Sequence, residues 1–505
     1  MLSKVNPDEI RSFLADTSNL SGGHAERVVF PETGEDTAEI LAQATRTAAP
    51  VTVSGAGTGT VGGRVPFGGI VLATDKLNHL KSITSHNGVA QAVAEAGVLL
   101  GDLQRAVEAR RLLYPPDPTE RQCFLGGTVA TNASGARTFK YGPTRNYVHR
   151  LLLALPEGEL LNLSRGEVLA DHNGKLCIPM PSGRKIDIQL PSYQMPQTRK
   201  NAAGYFVKPD MDALDLFIGS EGTLGVIVEV EVKLLAKPEA LFSGVVFFNL
   251  ETDLLTFVAD ARTRSFASRA KAQNGKGSSG PGIDARALEY FDVESLRFLR
   301  EKYEKIPVDA VGAIFFEQET NEATEDLLLH EWQSLLESHH ASVNESWFAT
   351  DEVDQARLRE FRHQLPVLMN EWFSRYQQRK VSTDMAVGDA EFPTLLRSYQ
   401  QSLRSTDLRY TIFGHIGDNH VHLNILPRND SEAVKARDLY LAFVRQAIAA
   451  GGTISAEHGI GKLKRPYLAM LYGEKHLREM AALKRAFDPA GILGRGNIFS
   501  EEFLA

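Results

Sequence analysis

The sequence predicts an α+β protein made of two domains and a helical C-terminal segment. Over the first 235 residues, strand-like and helix-like segments alternate and are joined by glycine-rich turns. In the middle of the chain, amphipathic helices accompany apolar strands, a pattern typical of an antiparallel sheet covered by helices. The last fifty residues are mostly helical in pattern. We therefore expect domains at residues 1–237 and 238–455, divided near Lys237-Pro238, and a C-terminal segment at residues 456–505.

Three stretches define the strands of the first domain. The segment "PVTVSGAGTGTVGG", Pro50 to Gly63, is a β-branched strand that runs into a Gly-Thr loop. The segment "GGIVLATDKLNHL", Gly68 to Leu80, is a strand followed by a turn. The segment "FIGSEGTLGVIVEVEVKLL", Phe217 to Leu235, is a loop followed by an alternating strand at Val226–Leu234.

The second domain is predicted from its helices and from one clear strand. Amphipathic helices are expected around Thr252–Ser265 and Thr324–His339, and an apolar strand at Val311–Gln318. The glycine- and serine-rich stretch Asn274–Gly282 is expected to form a surface loop. The chain then becomes mostly helical and ends in "FDPAGILGRGNIF", Phe487 to Phe499.

Composition excludes several classes of function. The chain has 505 residues, a formal net charge of -8 and 43% hydrophobic residues, so nothing favours nucleic acid or an anionic membrane as partner. No apolar run approaches the roughly 18–20 residues that cross a bilayer, and the N-terminus lacks the apolar core of a signal peptide. With only two cysteines, a cysteine-ligated iron–sulfur cluster is excluded. We expect a cytoplasmic protein.

Glycine-rich loops provide the first functional signal. In "SGAGTGTVGG" the glycines follow a strand, so backbone N–H groups can approach an anion, although the spacing is neither the dinucleotide fingerprint nor a P-loop. Alone, this loop is equally consistent with a tight turn. The long polar run Tyr114 to Val148 and the loop "GSEGTLG", Gly219 to Gly225, are also poor in bulky side chains. Three such loops in one domain indicate one extended cofactor with a pyrophosphate.

Histidines provide the second signal. "FGHIGDNHVHLNIL", Phe413 to Leu426, contains three of them, and "SAEHGIGK", Ser455 to Lys462, adds a Glu-His pair. On a strand, His420, His422 and Asn424 would share one face. Two imidazoles and a carboxylate are a common set of ligands for a divalent metal, and Glu457 could supply the carboxylate. The alternative is a group of satisfied polar side chains at the end of a strand.

Taken together, these stretches resemble the vanillyl-alcohol oxidase / p-cresol methylhydroxylase (PCMH) superfamily. The motifs "PPDP", "GGTVATNASG" and "GSEGTLG" occur in the order of that family. Within it, the chain is most similar in motif to the branch of D-lactate dehydrogenase, D-2-hydroxyglutarate dehydrogenase and the flavin subunit of glycolate oxidase. The resemblance implies a PCMH-type FAD-binding domain of two subdomains, an antiparallel-sheet substrate (cap) domain, and a C-terminal segment that returns to the FAD domain.

The resemblance also implies which residues contact FAD. Residues 54–60 and 117–138 would hold the pyrophosphate and ribityl chain, and Glu221 to Ile227 would lie near the adenosine half. The first loop contains no histidine, so the FAD is expected to be non-covalent. The implied FAD contacts are Ser54, Gly55, Ala56, Gly57, Thr58, Gly59, Thr60, Pro116, Asp117, Thr119, Gly126, Gly127, Ala130, Asn132, Gly135, Thr138, Glu221, Gly222, Ile227 and Asn497.

Family motifs similar to "GHxGDGNxHxN" and "SAEHGxG" give the expected catalytic residues. His415, His422 and Glu457 match the metal ligands, His458 matches the base, and Asn424 matches an asparagine near the substrate. Arg362, in "RHQLP", matches an arginine close to the substrate carboxylate. Here "DNH" replaces "DGN", so His420 is a departure from the family, and it is left out of the ligand set.

These matches imply oxidation of a D-2-hydroxy acid, of the D-lactate type, to its 2-oxo acid. A divalent metal, expected to be Zn²⁺ with Mn²⁺ as the alternative, would activate the hydroxyl, His458 would take its proton, and FAD would take the hydride. An external acceptor is then needed: an electron-transfer flavoprotein, a cytochrome, a quinone or a partner subunit. A homodimer is left open.

Other interpretations stay open at this point. The acid could instead be D-2-hydroxyglutarate, or glycolate if the chain is the flavin subunit of a larger complex. Ser382 stands where some relatives carry a pocket lysine, which argues against a dicarboxylate. A metal-dependent hydrolase would leave the glycine loops unexplained. A non-redox flavin synthase of the same fold would not need the metal ligands, and a non-catalytic flavin subunit would bind FAD that no hydroxy acid reduces.

Overall fold

The first part of the chain contains two sheets and a two-stranded ribbon. The structure is a computed structural model that describes residues 2–86, 88–273 and 282–504. A four-stranded sheet has the order β1-β2-β4-β3, in which β4 runs parallel to β2 and β3. An antiparallel sheet has the order β5-β6-β12-β8-β9, with β7 also paired to β12, and β10 pairs with β11. The strands are β1 Leu2–Lys4, β2 Arg27–Phe30, β3 Val51–Ser54, β4 Ile70–Ala73, β5 Leu80–His86, β6 Val89–Glu95, β7 Leu112–Leu113, β8 Val148–Ala154, β9 Leu160–Ser164, β10 Lys175–Pro179, β11 Lys185–Gln189 and β12 Val226–Ala236.

Short helices connect these strands. Helix α2 begins after Thr33, whose side chain accepts a hydrogen bond from the Asp36 N–H, and it buries Leu41 and Ala44 between the two sheets. Helix α4 lies within the glycine-rich stretch at residues 125–130. The helices of this part are α1 Pro7–Ile10, α2 Gly34–Thr47, α3 Leu100–Glu108, α4 Leu125–Ala130, α5 Thr138–Tyr141 and α6 Leu214–Phe217.

The second part is a seven-stranded, fully antiparallel sheet of order β16-β13-β15-β14-β18-β19-β17. The α+β class and the antiparallel sheet predicted from the sequence are confirmed, while most of the predicted loop Asn274–Gly282 lies outside the described residues. The strands are β13 Ala240–Phe248, β14 Ala285–Asp292, β15 Gly312–Thr320, β16 Trp347–Ala349, β17 Val381–Ser382, β18 Arg409–Gly414 and β19 His422–Leu426.

Helices cover both faces of this sheet. On one face, Trp332 and Phe257 pack against Phe316 and Phe248, and on the other, Phe361 packs against Phe291. The helices of this part are α7 Glu251–Gln273, α8 Val293–Leu299, α9 Glu325–Ser338, α10 Glu352–Tyr376, α11 Phe392–Arg404 and α12 Asp430–Ala449. Helix α7 runs about two turns beyond the predicted segment, which ended at Ser265.

The C-terminal segment contacts the first domain again. Helix α13, Arg465–Phe487, is kinked at Gly473, and the chain then runs back to β3. There the Val51 N–H donates to the Ile492 carbonyl, and Leu493 bridges Val51. Among the described residues, no helix is both long and apolar enough to cross a membrane.

Candidate active site

A cavity of about 350 Å³ lies where the three glycine-rich loops meet. The loop after β3 forms one wall, the segment around α4 forms a second, and residues 221–227 form a third. Glu457 and His458 also line this cavity. The predicted cofactor loops and the predicted catalytic pair therefore share one space.

Most predicted cofactor residues line this cavity, and some lie behind its wall. Those that line it are Gly55, Ala56, Gly57, Thr58, Gly59, Thr60, Thr119, Gly126, Gly127, Ala130, Glu221, Gly222 and Ile227. Those that do not are Ser54, Pro116, Asp117, Asn132, Gly135, Thr138 and Asn497. Several of the latter hold the loops in shape: the Asn497 amide donates to the Gly63 carbonyl, and Asn132 accepts from the Arg145 N–H.

Two glycines show why small residues are needed in the cavity wall and directly behind it. A Cβ at Gly135 would lie 2.0 Å from the Asp117 carbonyl oxygen, so the two backbone segments can pack only if this residue has no side chain. Gly127 is different: a Cβ there would meet nothing within 4 Å. It lines the cavity, so its missing side chain leaves space open.

Glu221 has a role that the sequence did not indicate. Its carboxylate oxygens accept hydrogen bonds of 2.6 and 2.7 Å from the Ile460 and Gly461 N–H groups. Burial raises the pKa of this carboxyl above its usual value. Glu221 thereby fastens the segment that carries Glu457 and His458 to the glycine-rich domain.

Beside the cavity lies a cluster of three histidines and Glu457. Potential ligand atoms of His415, His420, His422 and Glu457 all lie within 4.8 Å of one another. Glu457 Oε2 is 3.3 Å from His415 Nε2 and 3.7 Å from His422 Nε2. Its other oxygen accepts hydrogen bonds from Lys200 at 2.6 Å and Ser134 at 3.0 Å. The structure thus brings together the three predicted metal ligands.

The other ring nitrogens of two of these histidines are held in place. His415 Nδ1 lies 2.7 Å from Glu289, and His422 Nδ1 lies 2.9 Å from the Thr383 carbonyl oxygen. A carbonyl can only accept a hydrogen bond, so His422 carries its proton on Nδ1 and presents the lone pair of Nε2 to the cluster. Hydrogen bonds of this kind fix the orientation and tautomer of metal-binding histidines.

Two neighbouring carboxylates favour the protonated form of His415. Burial alone would lower its pKa, but Glu289 and Glu457 outweigh burial and raise the pKa to about 9. Burial would likewise raise the pKa of Glu289, yet Arg362 and His415 lower it to about 2. A positive charge is therefore favoured at the point where the imidazoles converge.

His420 belongs to the cluster, although it was left out of the predicted ligand set. The predicted strand over His420–Ile425 begins only at His422, because Ile416–Asp418 forms a 3₁₀ turn and Asn419 adopts a left-handed conformation with φ 55°. This turn folds His420 beside His422, with ring centroids 4.5 Å apart. His420 is fully buried, and neither ring nitrogen has a well-aligned hydrogen-bond partner among the described residues.

His458 is held by Asp384, a residue missed in the sequence. The fully buried Asp384 carboxylate accepts from the N–H groups of Glu457 and His458, from Ser455 and from Lys464. Burial lowers the pKa of His458 to about 3, so its imidazole is neutral near pH 7. Its ring lies parallel to that of His422, with 5.4 Å between the centroids.

Arg362 and Asn424 lie near the cluster, and each already has partners. Arg362 Nε donates to Glu289 at 3.0 Å, and Nη1 donates to His363 Nε2 at 3.0 Å, which leaves Nη2. Four residues on, Pro366 lacks the N–H that would bond the Arg362 carbonyl inside α10. Asn424 is buried on β19, and its amide donates to the His422 carbonyl.

Sequence reasoning missed Lys200, Glu289 and Asp384, and it left His420 out of the ligand set. Lys200 and Glu289 lie in stretches with no histidine or glycine pattern, 257 residues and 126 residues from their partners Glu457 and His415. Asp384 lies in "STDMAVGD", which drew notice only for Ser382. A lone acid inside an apolar stretch was the available signal, because such a residue is almost never buried without a partner.

Comparisons with known proteins agree with this geometry. Residues 25–164 match the model of an FAD binding domain, and residues 264–498 match the C-terminal domain of FAD linked oxidases. The chain is 30% identical to the glycolate oxidase subunit GlcD of Escherichia coli, over 93% of this chain and 82% of that protein. It is 29% identical to a D-lactate dehydrogenase of Anaerostipes hadrus, over 98% of both chains.

A solved structure supports the fold. An alkyldihydroxyacetonephosphate synthase superposes with a TM-score of 0.65 over 97% of this chain and 81% of that chain, at 15% identity. At that identity the likeness concerns the fold alone. The glycine-lined cavity, the two matching domain models and the full-length similarity agree, and the chain belongs to the FAD-linked oxidase family that includes D-lactate dehydrogenases, D-2-hydroxyglutarate dehydrogenases and glycolate oxidase flavin subunits.

Proposed function

We propose that this FAD-linked oxidoreductase oxidises a D-2-hydroxy acid to the 2-oxo acid at a divalent metal, with non-covalent FAD and an external electron acceptor. One observation carries the proposal: Glu457 and His458 line the same cavity as the glycine-rich loops. A substrate at the histidine cluster would therefore face a cofactor in the cavity. The names of the relatives support this class of substrate, since they are dehydrogenases or oxidases of small 2-hydroxy acids.

The residues fit a divalent metal. Three imidazoles and one carboxylate suit Zn²⁺ or Mn²⁺, and His415 and His422 each direct Nε2 towards Glu457. His420 is buried with its Nε2 3.1 Å from Asp384 and its Nδ1 4.0 Å from Glu457, so Nδ1 fits the same ion. Lys200 neutralises one oxygen of Glu457 and leaves Oε2 to the two imidazoles.

The residues also fit FAD. The cavity wall consists largely of backbone and of small side chains, so a large planar ligand can approach the main chain closely. Gly127 lines the cavity, and a Cβ there would meet nothing within 4 Å, so the missing side chain leaves room for the ligand. Bound there, FAD would supply the two-electron acceptor for the carbinol carbon, and the metal would lower the pKa of the substrate hydroxyl.

The chain's own residues bind and orient the substrate. His458 is neutral and lines the cavity with 29% of its side chain exposed, so it can take the hydroxyl proton, and Asp384, 3.5 Å from its Nδ1, then stabilises the resulting imidazolium. Arg362 offers Nη2 to the substrate carboxylate, and Glu289 holds that guanidinium in place. Asn424 lies on the same strand as His422 and would contact the substrate from that side.

The test is anaerobic loss of the oxidised-flavin absorbance with a panel of D- and L-2-hydroxy acids. We expect one D-acid to reduce the flavin rapidly. A chelator should abolish this reduction, and added Zn²⁺ or Mn²⁺ should restore it. A yellow protein that no hydroxy acid reduces would overturn the proposal and favour a non-catalytic flavin subunit.

A further inference from the structure

Positive charge reaches the cofactor cavity at one side chain. Among the described residues that line the cavity, Arg64 is the only lysine or arginine. Carboxylates line it at four positions: Asp16, Glu120, Glu221 and Glu457. Two of these, Glu221 and Glu457, already accept hydrogen bonds from within the protein. Among these lining residues, an anionic ligand can therefore meet a cationic side chain only at Arg64.

Arg64 has unused hydrogen-bond donors. Its Nε donates to the Ala15 carbonyl at 3.0 Å, its Nη1 to the Gly55 carbonyl at 2.6 Å, and its Nη2 to the Ser12 carbonyl. A guanidinium has five N–H groups, so two of them are left, and it stays charged at neutral pH. All three of its acceptors are uncharged. A half-buried cation in this state is stabilised by an anion that accepts the remaining N–H groups.

A carboxylate oxygen without a partner lies near Arg64. Asp16 Oδ1 accepts a hydrogen bond from the Ser18 N–H, but Oδ2 is buried and has no hydrogen-bond partner among the described residues. Oδ2 would lie 3.8 Å from a Cβ at Gly59. Asp16 and Asp75 attract Arg64 electrostatically, although the guanidinium hydrogen-bonds only to backbone carbonyls. This part of the cavity wall thus offers both unused donors and an unused acceptor.

A segment near the N-terminus packs against the glycine-rich loop here. The Thr17 N–H donates to the Gly57 carbonyl at 3.3 Å, and Thr17 Oγ lies 2.9 and 2.7 Å from the carbonyl oxygens of Thr58 and Gly59. A Cβ at Gly57 would lie 2.6 Å from Arg64 Nη1, so the guanidinium packs directly on this loop. The match to the FAD binding domain begins only at residue 25. The cavity wall therefore includes a segment that precedes the matched domain.

We propose that Arg64 binds the pyrophosphate of FAD and that Asp16 binds a hydroxyl group next to it. This inference rests on the cofactor of the proposed function and not on its substrate. A guanidinium can donate two parallel hydrogen bonds to phosphate oxygens, and backbone N–H groups of the glycine-rich loop would add to them. The ribityl chain and the ribose carry hydroxyl groups on the two sides of the pyrophosphate. A carboxylate near the guanidinium therefore meets a hydroxyl donor in either orientation of the cofactor.

The test measures the affinity of the apoprotein for FAD, ADP, adenosine and riboflavin by titration calorimetry. Arg64→Gln removes the charge, so affinity for FAD and ADP should fall by about 10- to 100-fold, the effect of losing a charge-assisted hydrogen bond. Adenosine and riboflavin have no phosphate, and their affinities should change less than about threefold. Arg64→Lys keeps the charge and should recover part of the loss. Arg11→Gln, at an exposed position one residue before Ser12, is the matched control.

A second variant tests the carboxylate. Asp16→Ala should lower the affinity for FAD by about tenfold, as for one lost hydrogen bond. The same loss should appear with either adenosine or riboflavin, the one that carries the bound hydroxyl. Asp8→Ala, at an exposed position, is the control. Unchanged FAD affinity, or an equal loss for adenosine and riboflavin, would overturn the role of Asp16.

The outcomes separate this inference from the proposed function. If Arg64→Gln weakens all four ligands equally, or leaves FAD affinity unchanged, Arg64 does not bind the pyrophosphate, and the proposed function stands. If no hydroxy acid reduces the flavin, the proposed function fails, and the affinities still decide the role of Arg64. Should the variants not fold, the native apoprotein should bind ADP at least about tenfold more tightly than adenosine, and inorganic pyrophosphate should compete with ADP. Equal binding of ADP and adenosine would overturn the inference.

Discussion

The cofactor cavity and the histidine cluster meet at Glu457 and His458, but they are built in opposite ways. The cavity is formed by the backbone of three short, continuous stretches that are poor in side chains. The cluster is formed by side chains whose partners come from β14, from Thr383 just after β17, and from Lys200. Substitutions that add side-chain atoms should therefore disturb the cavity, whereas substitutions that remove an imidazole or a charge should disturb the cluster. Mutations can test the two halves of this comparison separately.

The largest expected effect is in the cluster. His422→Asn removes one converging imidazole, so we expect the purified protein to lose its divalent metal and flavin reduction to slow by about 1,000-fold, since metal activation contributes several kcal/mol. Flavin content should not change, because His422 does not line the cavity. Metal analysis and the flavin spectrum measure the two quantities. His172→Asn, at an exposed position, is the control. Full metal content in His422→Asn would contradict the assignment.

The next largest effect is expected from two glycines, Gly135 behind the cavity wall and Gly127 in it. Gly135→Ala places a Cβ 2.0 Å from the Asp117 carbonyl, and we expect a loss of about 2 kcal/mol in the free energy of unfolding, as for other overpacked sites. Gly127→Ala places a Cβ in open space, so the apoprotein should unfold as before while FAD binding weakens. Thermal unfolding of apoprotein and flavin titration measure these effects. Unchanged FAD affinity in Gly127→Ala would show that the cofactor does not fill that space.

The same contrast explains how much could be predicted from the sequence. The α+β class, the antiparallel sheet and most cavity residues were predictable, because strand periodicity and small-residue loops are local signals. The grouping of His415, His422 and Glu457 was also predictable, since two of them lie in one motif. Lys200, Glu289 and Asp384 could not be found, because each is defined by a contact with a distant residue.

A smaller effect is expected from Glu289, the hydrogen-bond partner of the predicted metal ligand His415. Glu289→Gln keeps the shape of the side chain but removes the charge that holds His415, so metal affinity should fall by about 10- to 100-fold while metal still binds at saturation. Competition with a chromophoric chelator measures this affinity. Glu360→Gln, exposed on α10, is the matched control. An unchanged metal affinity would mean that Glu289 serves only to bind Arg362.

The smallest expected effect concerns His420, which distinguishes a three-ligand from a four-ligand cluster. Its Nε2 lies 3.1 Å from Asp384, and its Nδ1 faces Glu457 at 4.0 Å. Burial, together with His422, lowers its pKa to about 4, so the ring is neutral near pH 7 and Nδ1 can bind an ion. We therefore expect His420→Asn to weaken metal binding by about tenfold, less than the loss of His422, because the three other ligands persist. The cobalt-substituted protein gives a second measurement: its visible absorption should change in His420→Asn and not in His172→Asn. If the cobalt spectrum and the metal affinity both stay as in the native protein, His420 does not bind the metal, and the buried imidazole only fills the space beside Asp384.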